Sequence, residues 1–274
     1  KNKKYLEQLA ENNRMLKKFS DKMQSELKLA QELQMKFTNK LANKLGDYEI
    51  FFDRKYSTQI GGDFITSYEF SDGKKFAVIL ADMPGHGIPA ALILTAFKVL
   101  CSDALRTEKT SGEILSLINK SFINLNLNSY PSVCCIIIDN EKKNIEYSNA
   151  GHPYPFIISE DKQIKTIENN QILLGVMETQ YATNIIELKK GETLYMYSDG
   201  VIEIPQAALN NMEKSDVSRD DDDEYNILNL AEFIIRNEAL GIQNIFNKIY
   251  DNIIALKNIT EVEDDIMLLS VALK

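Results

Sequence analysis

Residues 1–45 carry apolar side chains at every seventh position, Leu9, Leu16, Met23, Ala30 and Phe37. Phe19, Leu27, Leu33 and Leu41 add a looser second stripe, with Lys, Glu, Gln and Asn between them and neither Gly nor Pro. A seam near the 3.5-residue period predicts a coiled coil, hence a homodimer of parallel helices. Asn12, Asn13 and Ser20 spoil several seam positions and keep a second reading open, one amphipathic helix packed on its own domain. Gly46 and Asp47 predict the helix end. The chain therefore divides into a helical coiled-coil stalk, residues 1–45, and a domain, residues 46–274.

Past Gly46 the chain breaks into short β-like runs at 48–56, 63–70 and 75–81. Helical patterns follow at 88–106 and 112–127. Runs at 132–138 and 144–149, joined by the polar segment 139–143, predict a hairpin. Further strands are expected at 154–158, 183–188 and 193–198. Segment 209–224 is polar, ends in Asp220-Asp-Asp-Asp-Glu224, and reads as a solvated loop. Helices at 226–239 and 242–256 precede a last strand, 266–271. Strands in runs and helices in pairs predict an α+β layered domain rather than alternating βαβ units.

The 31 basic and 40 acidic residues leave a net charge of -9, which argues against a nucleic-acid partner. Three cysteines cannot form a disulfide framework, and Cys134 and Cys135 sit side by side in an apolar run, as buried thiols of a reducing compartment do. No apolar stretch reaches the roughly 18 residues of a membrane span. The expectation is a cytoplasmic chain, or the cytoplasmic part of a membrane-anchored sensor protein. Its start at Lys1 reads as a piece of something longer.

Acidic residues share one local setting. Asp63 follows Gly61-Gly62 and opens a strand; Asp82 closes an apolar strand and enters Met83-Pro-Gly-His-Gly87. Asp199 closes another strand beside Gly200, and Asp264 and Asp265 precede the last one. Any one of them alone is more often a turn residue than a ligand. Together, acids at strand ends can converge on one sheet edge. Clustered carboxylates repel by several kcal/mol at an effective dielectric near ~20 unless a cation neutralises them. All-oxygen donors suit hard divalent ions such as Mg²⁺ or Mn²⁺, and a pair of such ions serves in-line attack of water on a phosphoryl group.

The flanking residues carry a resemblance. Gly61-Gly-Asp-Phe64, Ala81-Asp-Met-Pro-Gly-His-Gly87 with Pro89-Ala-Ala-Leu92, Ser148-Asn-Ala-Gly-His-Pro153, Tyr197-Ser-Asp-Gly-Val201 with Glu203, and Asp264-Asp-Ile-Met-Leu-Leu269 come in order. They resemble the signatures of the RsbU/SpoIIE-like bacterial branch of the PPM metal-dependent protein phosphatases, over roughly residues 28–274. Leu29-Ala-Gln-Glu-Leu-Gln34 is similar to the helix that links such domains to sensors.

The resemblance implies a two-sheet β-sandwich flanked by paired helices, with two Mn²⁺ or Mg²⁺ ions at one edge. It implies hydrolysis of phosphoserine or phosphothreonine on a partner protein, typically an anti-sigma-factor-antagonist-type regulator, under control of an upstream sensor domain. Asp82 would bridge both ions and Met83 would add its carbonyl. Asp199 and Asp264 would complete the second ion's shell, with Asp264 favoured over Asp265, and Asp63 would act directly or through water. Pro84, Met267 and Ile204-Pro205 depart from the family pattern without removing a carboxylate. The alternative is a catalytically quiet phosphatase-like interaction module.

His86 follows Asp82 by four residues and could protonate a leaving alkoxide; the plainer reading is a turn residue capping the helix near Ile88. His152 reads as structural. With two histidines and no Cys-x-x-Cys pair, a His/Cys zinc site is not expected. No P-loop is present, Ser198 lacks a nucleophile-elbow context, and Gly61-Gly-Asp-Phe64 lacks the Glu of the diguanylate cyclase signature.

Overall fold

The computed structural model describes residues 5, 8, 11–23, 25, 41–55, 62–85, 87–201, 223–257 and 265–274. Residues 11–23 form helix α1, with Leu16, Phe19 and Met23 exposed. Leu9, Ala30, Phe37 and the other seam residues at 27 and 33 lie outside the described residues, as do Gly61, His86, Glu203, Asp264 and most of the 209–224 segment.

Eleven described strands build two sheets, antiparallel throughout. One has the order β1 (Lys44–Leu45), β2 (Tyr48–Lys55), β11 (Ile266–Leu273), β10 (Thr193–Tyr197), β7 (Phe156–Ile158), β8 (Ile164–Thr166). The other runs β3 (Asp63–Glu69), β4 (Lys75–Asp82), β5 (Ser132–Asp139), β6 (Asn144–Ala150), β9 (Asn184–Ile186). Helices α2 (Ile88–Thr107) and α3 (Ser111–Ile123) back the five-stranded sheet; α4 (Asp223–Asn237) and α5 (Ile242–Lys257) back the six-stranded one.

Strand alternation sorts the side chains into layers. Tyr48, Ile50, Met267, Leu269 and Val271 face Ile65, Val78, Leu80, Cys134 and Ile136 across the gap between the sheets. The other parity of β4 and β5, Ala77, Ile79, Cys135 and Ile137, packs on Phe97, Cys101 and Leu115 of α2 and α3. Ile266 and Leu268 turn outward onto Ile234, Phe246 and Ile249. β4 and β5 read as unbroken apolar runs because both their faces are covered, unlike most antiparallel strands. The α+β layering predicted from element order is the layering observed.

Differences from the sequence-based expectations lie at the edges. α3 ends at Ile123 rather than 127, where Asn126 and Asn128 take positive φ, a conformation Asn tolerates better than most. α4 starts at Asp223 inside the expected loop. β1 and β8 were not expected; two and three residues are too short to show a period. Gly46 and Asp47 form the turn between β1 and β2, and Leu41 and Ala42 already pack on the inter-sheet core. No described helix is long and apolar enough to cross a membrane.

Candidate metal centre

β3 and β4 pair so that Asp63 lies directly opposite Asp82. Two carboxylates facing each other across a ladder repel, and nothing in the packing of the strands requires that pairing. Asp199 reaches the same place from the other sheet, opening a 3₁₀ turn, Asp199–Val201, just past β10. One carboxylate oxygen from each of Asp63, Asp82 and Asp199 lies within 4.8 Å of the other two. Asp63 is buried, while Asp82 and Asp199 are half-buried and open toward solvent.

Backbone contacts around these acids leave no room for side chains. Met83 N donates to Gly62 O at 3.1 Å, and a Cβ on Gly62 would stand 2.1 Å from the Met83 carbonyl oxygen. A Cβ on Gly200 would stand 2.3 Å from the Asp265 carbonyl oxygen. The motif glycines serve close approach of two chains to each other. Met83 itself is buried, its side chain in the core beneath α2.

Ser198 fastens the two strand ends of the second sheet. Its N donates to Met267 O at 3.1 Å, its hydroxyl to Asp265 O at 3.2 Å, and Met267 N donates back to the hydroxyl at 3.0 Å. Gly200 N donates to Asp199 Oδ1 at 2.8 Å, which aims the carboxylate. Asp265 is fully buried on the inward row that continues Met267 and Leu269. The Asp264 and His86 expectations fall outside the described residues, so the structure brings together Asp63, Asp82 and Asp199, with Met83 and Asp265 adjoining them in the chain and sheets.

A cavity of about 300 Å³ adjoins the cluster, lined by Asp82, Asp199, Ser132, His152, Tyr154 and Asn170 among others. Ser132 is the β5 partner of Asp82. Its hydroxyl lies 3.0 Å from His152 Nδ1. His152 N donates to Asn149 Oδ1 at 2.8 Å, and Asn149 Nδ2 donates to His152 O at 2.8 Å, locking the turn that the Asn-Ala-Gly-His-Pro sequence makes. Burial pushes the His152 imidazole down to about 4, against an opposing hydrogen bond to the Tyr197 backbone, so the ring is neutral at neutral pH. The structural reading of His152 fits this environment.

Two residues beside the acids escape motif reading. Ser198 stands inside the Tyr197-Ser-Asp-Gly-Val201 block, but its clamping role does not show there, because its bonding partners lie about seventy positions away. Arg54 is a charged residue in the inward series Tyr48, Ile50, Phe52 of β2, and its guanidinium feels Asp265 and Asp63. That break in alternation was the one available signal.

Two antiparallel sheets stacked face to face and sheathed by helix pairs, with oxygen donors gathered at one end, define a protein with the fold of PP2C-type phosphatase domains. The SiaA-PP2C domain of Pseudomonas aeruginosa superposes with a TM-score of 0.71 at 16% identity, covering 95% of this chain and 99% of that one. Residues 72–274 match the family described as Stage II sporulation protein E (SpoIIE), and the chain belongs to that family. Phosphoserine phosphatase RsbU of Bacillus subtilis (strain 168) is 25% identical over 215 residues, 77% of this chain and 59% of the relative. Phosphoserine phosphatase RsbP of the same organism is 24% identical over 187 residues, 65% of this chain and 45% of the relative. The chain thus spans about half the length of these curated relatives.

Proposed function

We propose that this chain is a metal-dependent protein serine/threonine phosphatase, releasing phosphate from phosphoserine or phosphothreonine on a regulatory partner protein. The convergence of Asp63, Asp82 and Asp199 carries the reading. Three mutually close carboxylate oxygens, all hard donors, suit Mn²⁺ or Mg²⁺ and not a thiol- or imidazole-seeking ion. Asp82, opposite Asp63 on the ladder and close to Asp199, would be a principal ligand of the ions. Met83 would add its carbonyl, and Asp199 with Asp264 or Asp265 would hold the second ion. Bound ions would supply Lewis-acid activation of water and charge neutralisation at the phosphoryl group. The chain's own residues fix those ligands, orient the phosphorylated segment in the adjoining cavity, and keep His152 neutral beside it. His86, four residues after Asp82 in the sequence, is the candidate proton donor to the leaving group in this reading, with a turn-capping role as its alternative.

The relatives named as phosphoserine phosphatases support a phosphoserine substrate; the motif resemblance adds an anti-sigma-factor-antagonist-type regulator as that substrate and the cytoplasm as the setting. The division into a stalk, residues 1–45, and a phosphatase domain, residues 46–274, belongs to the same reading. In it the stalk pairs two copies and transmits the state of an upstream sensor to the segment from Gly61 to Asp63.

Phosphate release from a phosphoserine peptide in Mn²⁺ tests the reaction. The full chain should turn over only with the ion. Asp82→Asn and Asp199→Asn should each lose about a hundredfold or more, several kcal/mol of transition-state stabilisation. Folded variants with undiminished turnover would remove the metal assignment. Retained partner binding with no hydrolysis and no Mn²⁺ uptake would instead identify the quiet interaction module.

A further inference from the structure

The same mouth holds a fixed positive charge. Along β2, Tyr48, Ile50 and Phe52 point between the sheets, and Arg54 is the next residue of that parity. Its register partner on β11 is Met267, an inter-sheet core residue, and Asp265 is the next inward position beyond Met267. On the facing sheet, Ile65 and Leu80 belong to the same core, and Asp63 and Asp82 extend their inward rows to the open end. Period-two alternation on four strands therefore delivers one guanidinium and three carboxylates to one end of the gap. Asp199 joins them from the turn after β10.

The electrostatics agree with the placement. Burial draws the Arg54 guanidinium below its ordinary value, while the charges of Asp265, the larger, and Asp63 oppose that effect. A guanidinium keeps its proton in such surroundings. Lys55, next in the chain, takes the other parity and sits over the Tyr250 ring on the helix side. The charge at position 54 is therefore not part of a solvated basic patch.

We propose that Arg54 is a resident counter-cation of the metal centre: it balances part of the carboxylate charge in the ion-free protein and so weakens the site's uptake of divalent ions. This rests on the metal-centre reading above. Counted at their formal charges, as an ion-loaded site requires, Asp63, Asp82, Asp199 and Asp265 sum to minus four, and Arg54 reduces the sum to minus three. One divalent ion then leaves the mouth negative by one, and a second makes it positive by one. Without Arg54 two ions would only bring it to neutrality. Arg54 thus acts on the reaction through the ligands, as a positioning residue, and makes full loading electrostatically harder. A dianionic phosphoryl group entering the mouth would relieve the surplus, so substrate and the last ion should favour each other's binding.

Mn²⁺ titration calorimetry and thermal unfolding of the full chain, with and without a chelator, test this on wild type, Arg54→Gln and Arg54→Lys. The Gln variant should melt below wild type in chelator, because the carboxylates lose their counter-charge. It should nevertheless bind Mn²⁺ about tenfold more tightly. The Lys variant, which keeps the charge, should stay near wild type in both. Opposite movement of ion-free stability and ion affinity is something a packing role would not produce. Mn²⁺ affinity of the Gln variant equal to or weaker than wild type overturns the proposal, as does a Gln variant that fails to fold even in Mn²⁺. So does unchanged affinity with only KM for the phosphopeptide raised, which would mark Arg54 as a phosphate contact. Wild type that takes up no Mn²⁺ removes the underlying reading as well, and the two failures are told apart by that control.

Discussion

His152 shows how one buried side chain sets a pH response. Its ring is almost fully enclosed and is held at Nδ1 by Ser132, 3.0 Å away. Folded, it titrates at about 4; free in the unfolded chain it titrates at 6.5. Between those values the unfolded chain takes up a proton that the folded one refuses, so stability falls as pH drops from 6.5 toward 4. Above 6.5 the effect vanishes. The loss is on the order of 3 kcal/mol across the window. Melting temperatures from pH 7 to 4.5 should therefore fall more steeply for wild type than for His152→Gln. Parallel slopes would show that the imidazole does not stay neutral. Single residues were legible in the sequence where a Gly stood beside them: Gly62 and Gly200 flag Asp63 and Asp199 because the close backbone approach and the acid are local to each other. Arg54 was not legible, since its neighbours are set by the β2–β11 register, which no local pattern states.

At the scale of elements, the site depends on how strands end. β10 ends beside the start of antiparallel β11, and the Ser198 hydroxyl both donates to Asp265 O and accepts from Met267 N. Ser198→Ala strips a fully buried group of partners and leaves the Met267 amide unsatisfied, at a cost of about 1–3 kcal/mol. It also frees the turn that presents Asp199. The expected outcome is a lower denaturation midpoint together with weaker Mn²⁺ binding; a change in midpoint alone would mean that the turn holds its place without the clamp. β4 and β5 could be read directly because their continuous apolar runs are too short for a helix and rich in Val and Ile, which leaves strands covered on both faces. β1 and β8 could not, being edge strands too short to show alternation. α3 carried a readable start, since Thr110 and Glu113 form a reciprocal capping box, and an unreadable end among asparagines with positive φ.

For the whole molecule, residues 41–45 decide where the chain can be cut. Leu41, Ala42 and Leu45 pack on the inter-sheet core, and β1 pairs with β2. A chain trimmed to residues 41–274 should keep the denaturation midpoint of the domain, whereas one trimmed to 46–274 should lose about 2–4 kcal/mol from these deleted apolar contacts. Denaturant unfolding of both, with Mn²⁺-dependent turnover measured alongside, separates damage to the core from release of stalk control. Unchanged turnover and ion affinity in the 41–274 chain would count against regulation through the stalk. The layered plan was foreseeable from the order of elements and an acidic edge from the acids at strand ends; which strands stand beside one another came only from their pairing. The same layering splits a pair of adjacent thiols. Cys134 lies between the sheets, and Cys135 lies with Cys101 beneath the helices, all three buried and reduced. Neighbours in sequence thus report on different compartments: alkylation of chains retaining only one cysteine would time the parting of the sheets separately from the lifting of the helical cover.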